Sequence, residues 1–156
     1  YLVMKNIILL LGFLLLQNIA FSQDYKTIAY DEALAKKLGA DEYGMKQYVF
    51  CLLKTGTNTT ATSEESKKAF EGHMSNIGKL AKEGKLVLAG PFMKNDKNYR
   101  GIYIFNVSTI EEAQELVKTD PAISTNILEA ELTLWYGSAG LQELNDIHSK
   151  ISKTKF

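Results

Sequence analysis

Residues 71–92, EGHMSNIGKLAKEGKLVLAGPF, contain the end of one predicted element and the whole of the next. The part before Gly84 is rich in helix formers, and glycine is the residue that most often ends a helix. The part from Leu86 to Phe92 is a short apolar run closed by Gly90-Pro91, which is typical of a strand. The stretch therefore predicts a helix followed directly by a strand, with His73 in the helix.

The other elements are predicted from the flanking sequence. Ser63 is the predicted cap of the long helix, and Glu64 and Glu65 after it favour the positive N-terminal end. Strands are predicted at 47–54, 100–107 and 127–136, a second long helix at 109–118, and further helices at 30–39 and around 141–151. The order is βαββαβ with one helix appended at each end.

This order predicts an α+β fold of the ferredoxin-like type, in which a split four-stranded antiparallel sheet carries both crossover helices on one face. Residues 48–53 are apolar throughout, so apolar side chains point to both faces of the sheet. An open apolar face of that size is rare in a monomer and needs a cover. The appended helices are one candidate, and a second copy of the chain, in a homodimer packed sheet to sheet, is the favoured one.

The N-terminal segment has the pattern of an export signal. Lys5 precedes an unbroken apolar run at 7–16, and the small-x-small triplet Ala20-Phe21-Ser22 predicts cleavage after Ser22. The run is too short to span a bilayer by itself, and a retained N-terminal anchor is the alternative. We expect a signal peptide at residues 1–22, a periplasmic or secreted protein, and no membrane association after cleavage.

The net charge of the chain does not favour two classes of partner, nucleic acids and anionic membranes. The chain has 18 Lys and Arg against 18 Asp and Glu, and removal of residues 1–22 takes away Lys5 alone, which leaves a net charge of −1. Such a balance favours neither nucleic acid nor an anionic membrane. The remaining length suits a single domain with one core.

The few cysteine and histidine residues limit redox and metal chemistry. Cys51 has no partner for an intramolecular disulfide, and we interpret it as a small buried hydrophobe rather than a nucleophile. His73, His148 and Cys51 are far apart in sequence and form no ligand cluster. Nucleophile-elbow, phosphate-loop and dinucleotide glycine motifs are also missing. We expect neither a metal nor a cofactor, and we interpret His148 as structural.

His73 is a candidate acid–base residue, and both it and Asp120 have a plain structural interpretation. Helical phase puts His73 at the edge of an apolar stripe, which fits a partly desolvated base or a core-edge histidine bonded to the backbone. Asp120 precedes Pro121, and Asp followed by Pro at the start of a turn is the expected pair of cap and first position. The topology carries both residues toward one end of the sheet, since His73 lies nine residues after Glu64, in the first half of its helix.

Several segments resemble the YCII-related family. They are His73 in the first long helix, EGKLVLAGPF at 83–92, RGIYIF at 100–105, TDPA at 119–122 and WYG at 135–137. The resemblance implies a dimeric α/β barrel in which His73 and Asp120 form the catalytic dyad. It divides the chain into the signal peptide, an N-terminal helical extension at 23–45, the YCII-related domain at 46–137, and a C-terminal amphipathic helix and tail at 138–156. The export signal and the appended helices depart from most members, so no relative's substrate is transferred.

Four further residues are assigned provisional substrate-binding roles. Gly90 would let a ligand approach the backbone, and Pro91 would stiffen the strand end. Arg100 is the only arginine, and it would bind a carboxylate through two hydrogen bonds or serve as a surface charge. Trp135 would wall a pocket or belong to the core.

Three functions are compatible with these features. The favoured one is an exported, cofactor-independent enzyme, a hydrolase or lyase, in which His73 transfers a proton and Asp120 orients it during hydrolysis or elimination of a small organic molecule. The second is a non-catalytic dimeric module that binds a small molecule in the same cleft. The third is a structural or partner-binding role for the appended helices.

Overall fold

The computed structural model of this chain describes residues 29–154. The predicted signal peptide and the start of the predicted N-terminal extension lie outside this range. Between residues 29 and 154, no helix combines the length and the apolar composition that crossing a bilayer requires. One compact unit begins at Glu32 and contains the sheet with its helices.

Helices and strands follow one another as the sequence predicts. In chain order they are α1 (Glu32–Leu38), β1 (Met45–Thr55), α2 (Ser63–Lys82), β2 (Leu86–Pro91), β3 (Tyr99–Phe105), α3 (Ile110–Lys118), α4 (Pro121–Ser124), β4 (Leu128–Ser138), a 3-10 helix (Ala139–Glu143) and α5 (Leu144–Ile151). The βαββαβ order and the helix appended at each end are confirmed. The short helix α4 and the 3-10 helix were not predicted.

The sheet is antiparallel, with strand order β2-β3-β1-β4. Cys51 in β1 is opposite Tyr103 in β3 and Leu132 in β4, so these three side chains point to the same face. Helix α2 packs on that face next to β2, and α3 packs on it next to β4. This is the ferredoxin-like arrangement predicted from the sequence.

A reciprocal cap fixes the start of α2. The hydroxyl of Thr62 accepts a hydrogen bond from the Glu65 N–H, and the Glu65 carboxylate accepts one from the Thr62 N–H. The cap is therefore Thr62 rather than the predicted Ser63, because only Thr62 has a glutamate three residues further on.

The main core lies between the sheet and helices α2, α3 and α4. Its buried members are Val49, Cys51, Leu53, Ala69, Leu80, Leu86, Tyr103, Phe105, Val107, Ala113, Val117, Ala122 and Leu128. A smaller core on the second sheet face consists of Tyr48, Val87 and Ile104, against which Leu141 packs. The rest of that second face, which we call the open face, is half-buried and contains Phe50, Leu52, Leu88 and Ile102. The C-terminal segment therefore covers only part of the second sheet face, through Leu141.

The two appended elements contact each other. Nε2 of Gln142, in the 3-10 helix, donates a hydrogen bond to the Leu38 carbonyl at 2.6 Å. Lys37 at the end of α1 forms an ion pair with Glu143 at 2.9 Å. Helix α1 and the C-terminal segment thus meet at the end of the sheet where β1 begins and β4 ends.

Candidate active site

His73 lies near the middle of α2 on the side that faces the sheet. Its side chain is 11% exposed. Ala69, Asn76 and Leu80 are buried on the same side of the helix. They lie four, three and seven residues from His73, and these spacings share a helical face. The imidazole is therefore held between the helix layer and the sheet.

Asp120 immediately precedes α4 and is fully buried. Its Oδ1 accepts a hydrogen bond from the Ala122 N–H at 2.9 Å, so the carboxylate caps the helix, and Pro121 takes the first helical position. Capping occupies one carboxylate oxygen. The other oxygen, Oδ2, is left for partners elsewhere in the fold.

The fold brings His73 and Asp120 into direct contact. Nδ1 of His73 lies 2.8 Å from Oδ2 of Asp120, although the two residues are 47 positions apart. An ionised carboxylate only accepts hydrogen bonds, so this contact assigns the donor role to Nδ1 when Asp120 is ionised. In the neutral ring, Nε2 is then the nitrogen with the free lone pair.

Tyr103 is a third member of this cluster, and the sequence did not lead us to it. Its hydroxyl donates a hydrogen bond to Oδ2 of Asp120 at 3.1 Å. The same hydroxyl oxygen lies 3.2 Å from Nδ1 and 3.3 Å from Nε2 of His73, and the two rings stack at an angle of 27°. The N–H bond or lone pair of each ring nitrogen lies in the plane of the imidazole, and the two point in different directions. An oxygen almost equidistant from both nitrogens therefore lies over the ring face and is poorly placed to bond either. Asp120 is therefore the partner of the hydroxyl.

The environment of Tyr103 keeps its hydroxyl protonated. Burial raises the pKa of Tyr103, and the negative charge of Asp120 raises it further. The phenol is thus a hydrogen-bond donor rather than a base. A sequence signal for this role exists, since a tyrosine within an apolar strand carries a hydroxyl that needs a partner once it is buried.

Among residues 29–154, neither a reactive thiol nor a cluster of metal ligands accompanies the dyad. Cys51 is fully buried on the same sheet face as Tyr103, and burial, followed by the charge of Asp120, raises the pKa of Cys51 to about 12. Such a thiol is protonated at neutral pH, which fits its predicted role as a buried hydrophobe. Within residues 29–154, no three His, Cys, Asp or Glu side chains converge as a metal ion would require.

An open hollow of about 840 Å³ lies along the exposed side of α2, opposite the buried side that contains His73. Phe70, Met74 and Lys67 are among the residues that line it. Phe70 also meets His73 edge to face, with ring centroids 5.8 Å apart. On β2, Ala89 and Pro91 point toward the helix layer yet remain exposed. Phe70 is thus the residue shared by this hollow and the immediate surroundings of His73.

The four residues with predicted substrate-binding roles lie in two other places. Pro91 and Arg100 border a hollow of about 340 Å³ at the connection between β2 and β3. Gly90 is opposite Ile102, which places it on the open face. Trp135 also lies on the second sheet face, where it packs against Tyr48 with ring centroids 5.9 Å apart. The structure does not bring Trp135 to His73, because the sheet lies between them.

A split four-stranded antiparallel sheet with both crossover helices on one face defines a small α+β protein of the ferredoxin-like class, and this one has a buried His–Asp pair under its helix layer. The sequence model of the YCII-related domain matches residues 48–135, more than half of the chain. The chain belongs to the YCII-related family, and the resemblance noted from its motifs is confirmed.

No curated protein matches this chain significantly, and several chains among solved structures do. One of them is the 5-chloro-2-hydroxyhydroquinone dehydrochlorinase of Burkholderia phenoliruptrix in complex with 2,5-dihydroxybenzoquinone. It is 15% identical, with a TM-score of 0.38, and the match covers 56% of this chain and 90% of that chain.

Proposed function

We propose that this protein is an enzyme acting on a small organic molecule, with His73 as the group that transfers a proton. The observation that supports this most directly is the 2.8 Å contact between Nδ1 of His73 and Oδ2 of Asp120. The contact holds the proton on Nδ1 and leaves Nε2 to act as a general base. It also places a negative charge beside the imidazolium that forms when Nε2 accepts a proton.

Hydrolysis and elimination both fit this arrangement. In hydrolysis, Nε2 takes a proton from water and the resulting hydroxide adds to the substrate. The bond to the leaving group then breaks, its electron pair goes to the leaving group, and the imidazolium returns the proton to that group. In elimination, Nε2 takes a proton from carbon, the electron pair of that C–H bond forms a double bond, and the leaving group departs with its bonding electrons. Asp120 orients the ring in both cases, because its oxygens already accept from His73, Tyr103 and Ala122.

We assign the substrate to the hollow beside Phe70. Phe70 and Met74 offer apolar surface, and Lys67 and Glu71, an exposed ion pair at 4.0 Å, provide charges of both signs at the same hollow. Small-molecule sites are mostly apolar with few polar groups that fix orientation. The substrate class that fits is a small, largely apolar molecule that can approach the imidazole past the edge of Phe70.

We further propose that the protein works as a homodimer packed through the open face. Phe50, Leu52, Leu88 and Ile102 are only half-buried there, and Leu141 covers the other part of the second face. A second copy would bury these side chains by placing the same surface of each subunit against the other.

We also keep export to the periplasm or medium as a proposal, on the strength of the N-terminal sequence pattern. Mass spectrometry of the protein produced in its own cells is the test. A mature N-terminus at Gln23 supports cleavage, and an intact leader would mean a retained anchor instead.

The proposed activity is tested by a metabolite-library thermal-shift screen followed by turnover assays of the compounds that bind. The parent is compared with His73→Gln and Asp120→Asn, and His148→Gln is the matched control because His148 lies exposed on α5. Retained binding with turnover lost only in the two site variants supports the enzyme. Compounds that bind the parent and both variants alike, with no turnover in any protein, would replace the enzyme with a ligand-binding module.

A further inference from the structure

Gly72 and Pro121 lie close together, each next in sequence to one residue of the dyad. Gly72 is the residue before His73, and Pro121 is the residue after Asp120. A Cβ atom placed on Gly72 would lie 2.6 Å from Cγ and 3.1 Å from Cβ of Pro121. Carbon atoms in contact are normally about 3.5–4.0 Å apart. Helix α2 therefore approaches the start of α4 more closely than any side chain at position 72 would permit.

We propose that Gly72 is a positioning residue for the dyad, in that its lack of a side chain sets the distance between His73 and Asp120. The inference rests on the proposed function only for its effect on turnover. The contact between the two side chains can be observed without any substrate.

Pro121 cannot easily yield to an added methyl group. Its ring is closed on its own backbone, so it cannot rotate away as a long side chain would. The neighbouring residues Asp120 and Ala122 are both fully buried, which leaves the start of α4 little room to move. Relief of the contact thus requires α2 and α4 to separate by roughly 1 Å.

A separation of that size is enough to break the dyad. The bond between Nδ1 of His73 and Oδ2 of Asp120 is 2.8 Å long, and a contact of about 3.6 Å is no longer a hydrogen bond. Misplacement of catalytic groups by about 1 Å can lower a rate by about a hundredfold.

Gly78 provides a matched comparison on the same helix. A Cβ at Gly78 would meet nothing within 4 Å, whereas a Cβ at Gly72 would meet the Pro121 ring. Alanine is the better helix former at both positions, so helix propensity alone predicts the same gain in stability from either substitution. Only Gly72→Ala is expected to disturb the cluster.

The experiment records the ¹⁵N spectrum of the histidine side chains in full-length Gly72→Ala and Gly78→Ala. The parent and Gly78→Ala should keep the proton of His73 on Nδ1, whereas Gly72→Ala should lose this preference. His148 serves as the internal reference in every spectrum. A Gly72→Ala spectrum identical to that of the parent would overturn the inference.

A second variant keeps the test decisive if Gly72→Ala folds poorly. In Gly72→Ala/Pro121→Ala the nearest atom, Cγ, is gone and the remaining Cβ lies 3.1 Å away, a contact that a shift of a few tenths of an ångström relieves. The double variant should fold and regain the Nδ1 preference. Its failure to do so would contradict the inference.

Turnover separates this inference from the proposed function. If the parent is active, Gly72→Ala should reduce kcat by about 10- to 100-fold. If neither the parent nor any variant is active but Gly72→Ala alone loses the Nδ1 preference, the positioning role of Gly72 stands and the proposed enzyme does not.

Discussion

Tyr103 stacks on His73 with ring centroids 5.9 Å apart, and both side chains direct a hydrogen bond to Oδ2 of Asp120. One carboxylate oxygen therefore holds a helix residue and a strand residue together. Its other oxygen caps α4 through the Ala122 N–H. This sharing makes the cluster a junction between α2, β3 and α4 as well as a candidate catalytic centre.

The substitution Tyr103→Phe removes the hydroxyl and keeps the aromatic packing. Tyr48→Phe is the control, since the buried Tyr48 hydroxyl donates to the neutral carbonyl of Ser138 at 3.1 Å. Hydrogen bonds to charged groups contribute about 1.5–3 kcal/mol, and neutral ones about 1 kcal/mol. Urea unfolding should therefore show a larger loss of stability for Tyr103→Phe. Equal losses in the two variants would mean that Tyr103 does not bond the Asp120 carboxylate.

The thiol of Cys51 should be unreactive in the native protein. Burial, followed by the charge of Asp120, raises the pKa of Cys51 to about 12, so only about one thiol in 10⁴ is ionised at pH 8. A disulfide reagent at pH 8 should modify Cys51 within seconds in urea and only at the rate of unfolding in buffer. Rapid modification of the folded protein would show that the thiol is accessible and the core is open.

The fold could be predicted from the sequence because its signals are local. Gly84 separates α2 from β2, and the unbroken apolar run at 48–53 in β1 requires a sheet that is covered on both faces. Helical phase placed His73 beside the buried stripe, and the structure places it within that stripe because α4 packs against the same side of α2. The role of Asp120 as a cap could also be predicted, since Asp followed by Pro is a local sequence pattern.

Which residues form the site depends on the register of strand pairing, and a single sequence does not show that register. Tyr103 reaches Asp120 only because Cys51 pairs with Tyr103, and this pairing sets which side of β3 faces the helices. Trp135 is an apolar strand residue by any local measure, and pairing with Tyr48 puts it on the far face. The distance between His73 and Asp120 likewise depends on a tertiary contact, the approach of Gly72 to Pro121.

Acid should weaken the attachment of the N-terminal extension at Asp41. The Tyr136 hydroxyl and the Met45 and Tyr43 N–H groups bond the Asp41 carboxylate, and these bonds lower the pKa of Asp41, the Tyr136 bond most. A carboxyl whose pKa is lower in the folded state stabilises the protein above its unfolded pKa, and this contribution is lost as the pH falls through the folded pKa.

Asp41→Asn should therefore be less stable than the parent at pH 7, and the difference should shrink toward pH 3, below the ordinary pKa of aspartate at about 3.9. Thermal unfolding across this pH range measures it. Asp96→Asn, in the exposed connection between β2 and β3, is the control and should change little at either pH. A difference for Asp41→Asn that stays constant with pH would show that its carboxylate charge is not involved.

A charged side chain on the open face should prevent the chain from forming a dimer. Phe50→Glu places a carboxylate in the middle of that face, opposite Ile104 and Thr133. An unpaired charge buried between two copies costs several kcal/mol, which is enough to dissociate a dimer at micromolar concentration. Analytical ultracentrifugation should find a dimeric parent, a monomeric Phe50→Glu and a dimeric Ser75→Glu, since Ser75 is exposed on α2. A parent that sediments as a monomer would end the homodimer proposal.

The most direct test of the proposed chemistry is the position of the proton on the imidazole of His73, read from the ¹⁵N shifts of its two ring nitrogens. The account predicts that the neutral ring carries its proton on Nδ1 in the parent and loses this preference in Asp120→Asn, while His148 is the same in both proteins. A neutral His73 that carries its proton on Nε2 in the parent, and is unaffected by Asp120→Asn, would contradict it.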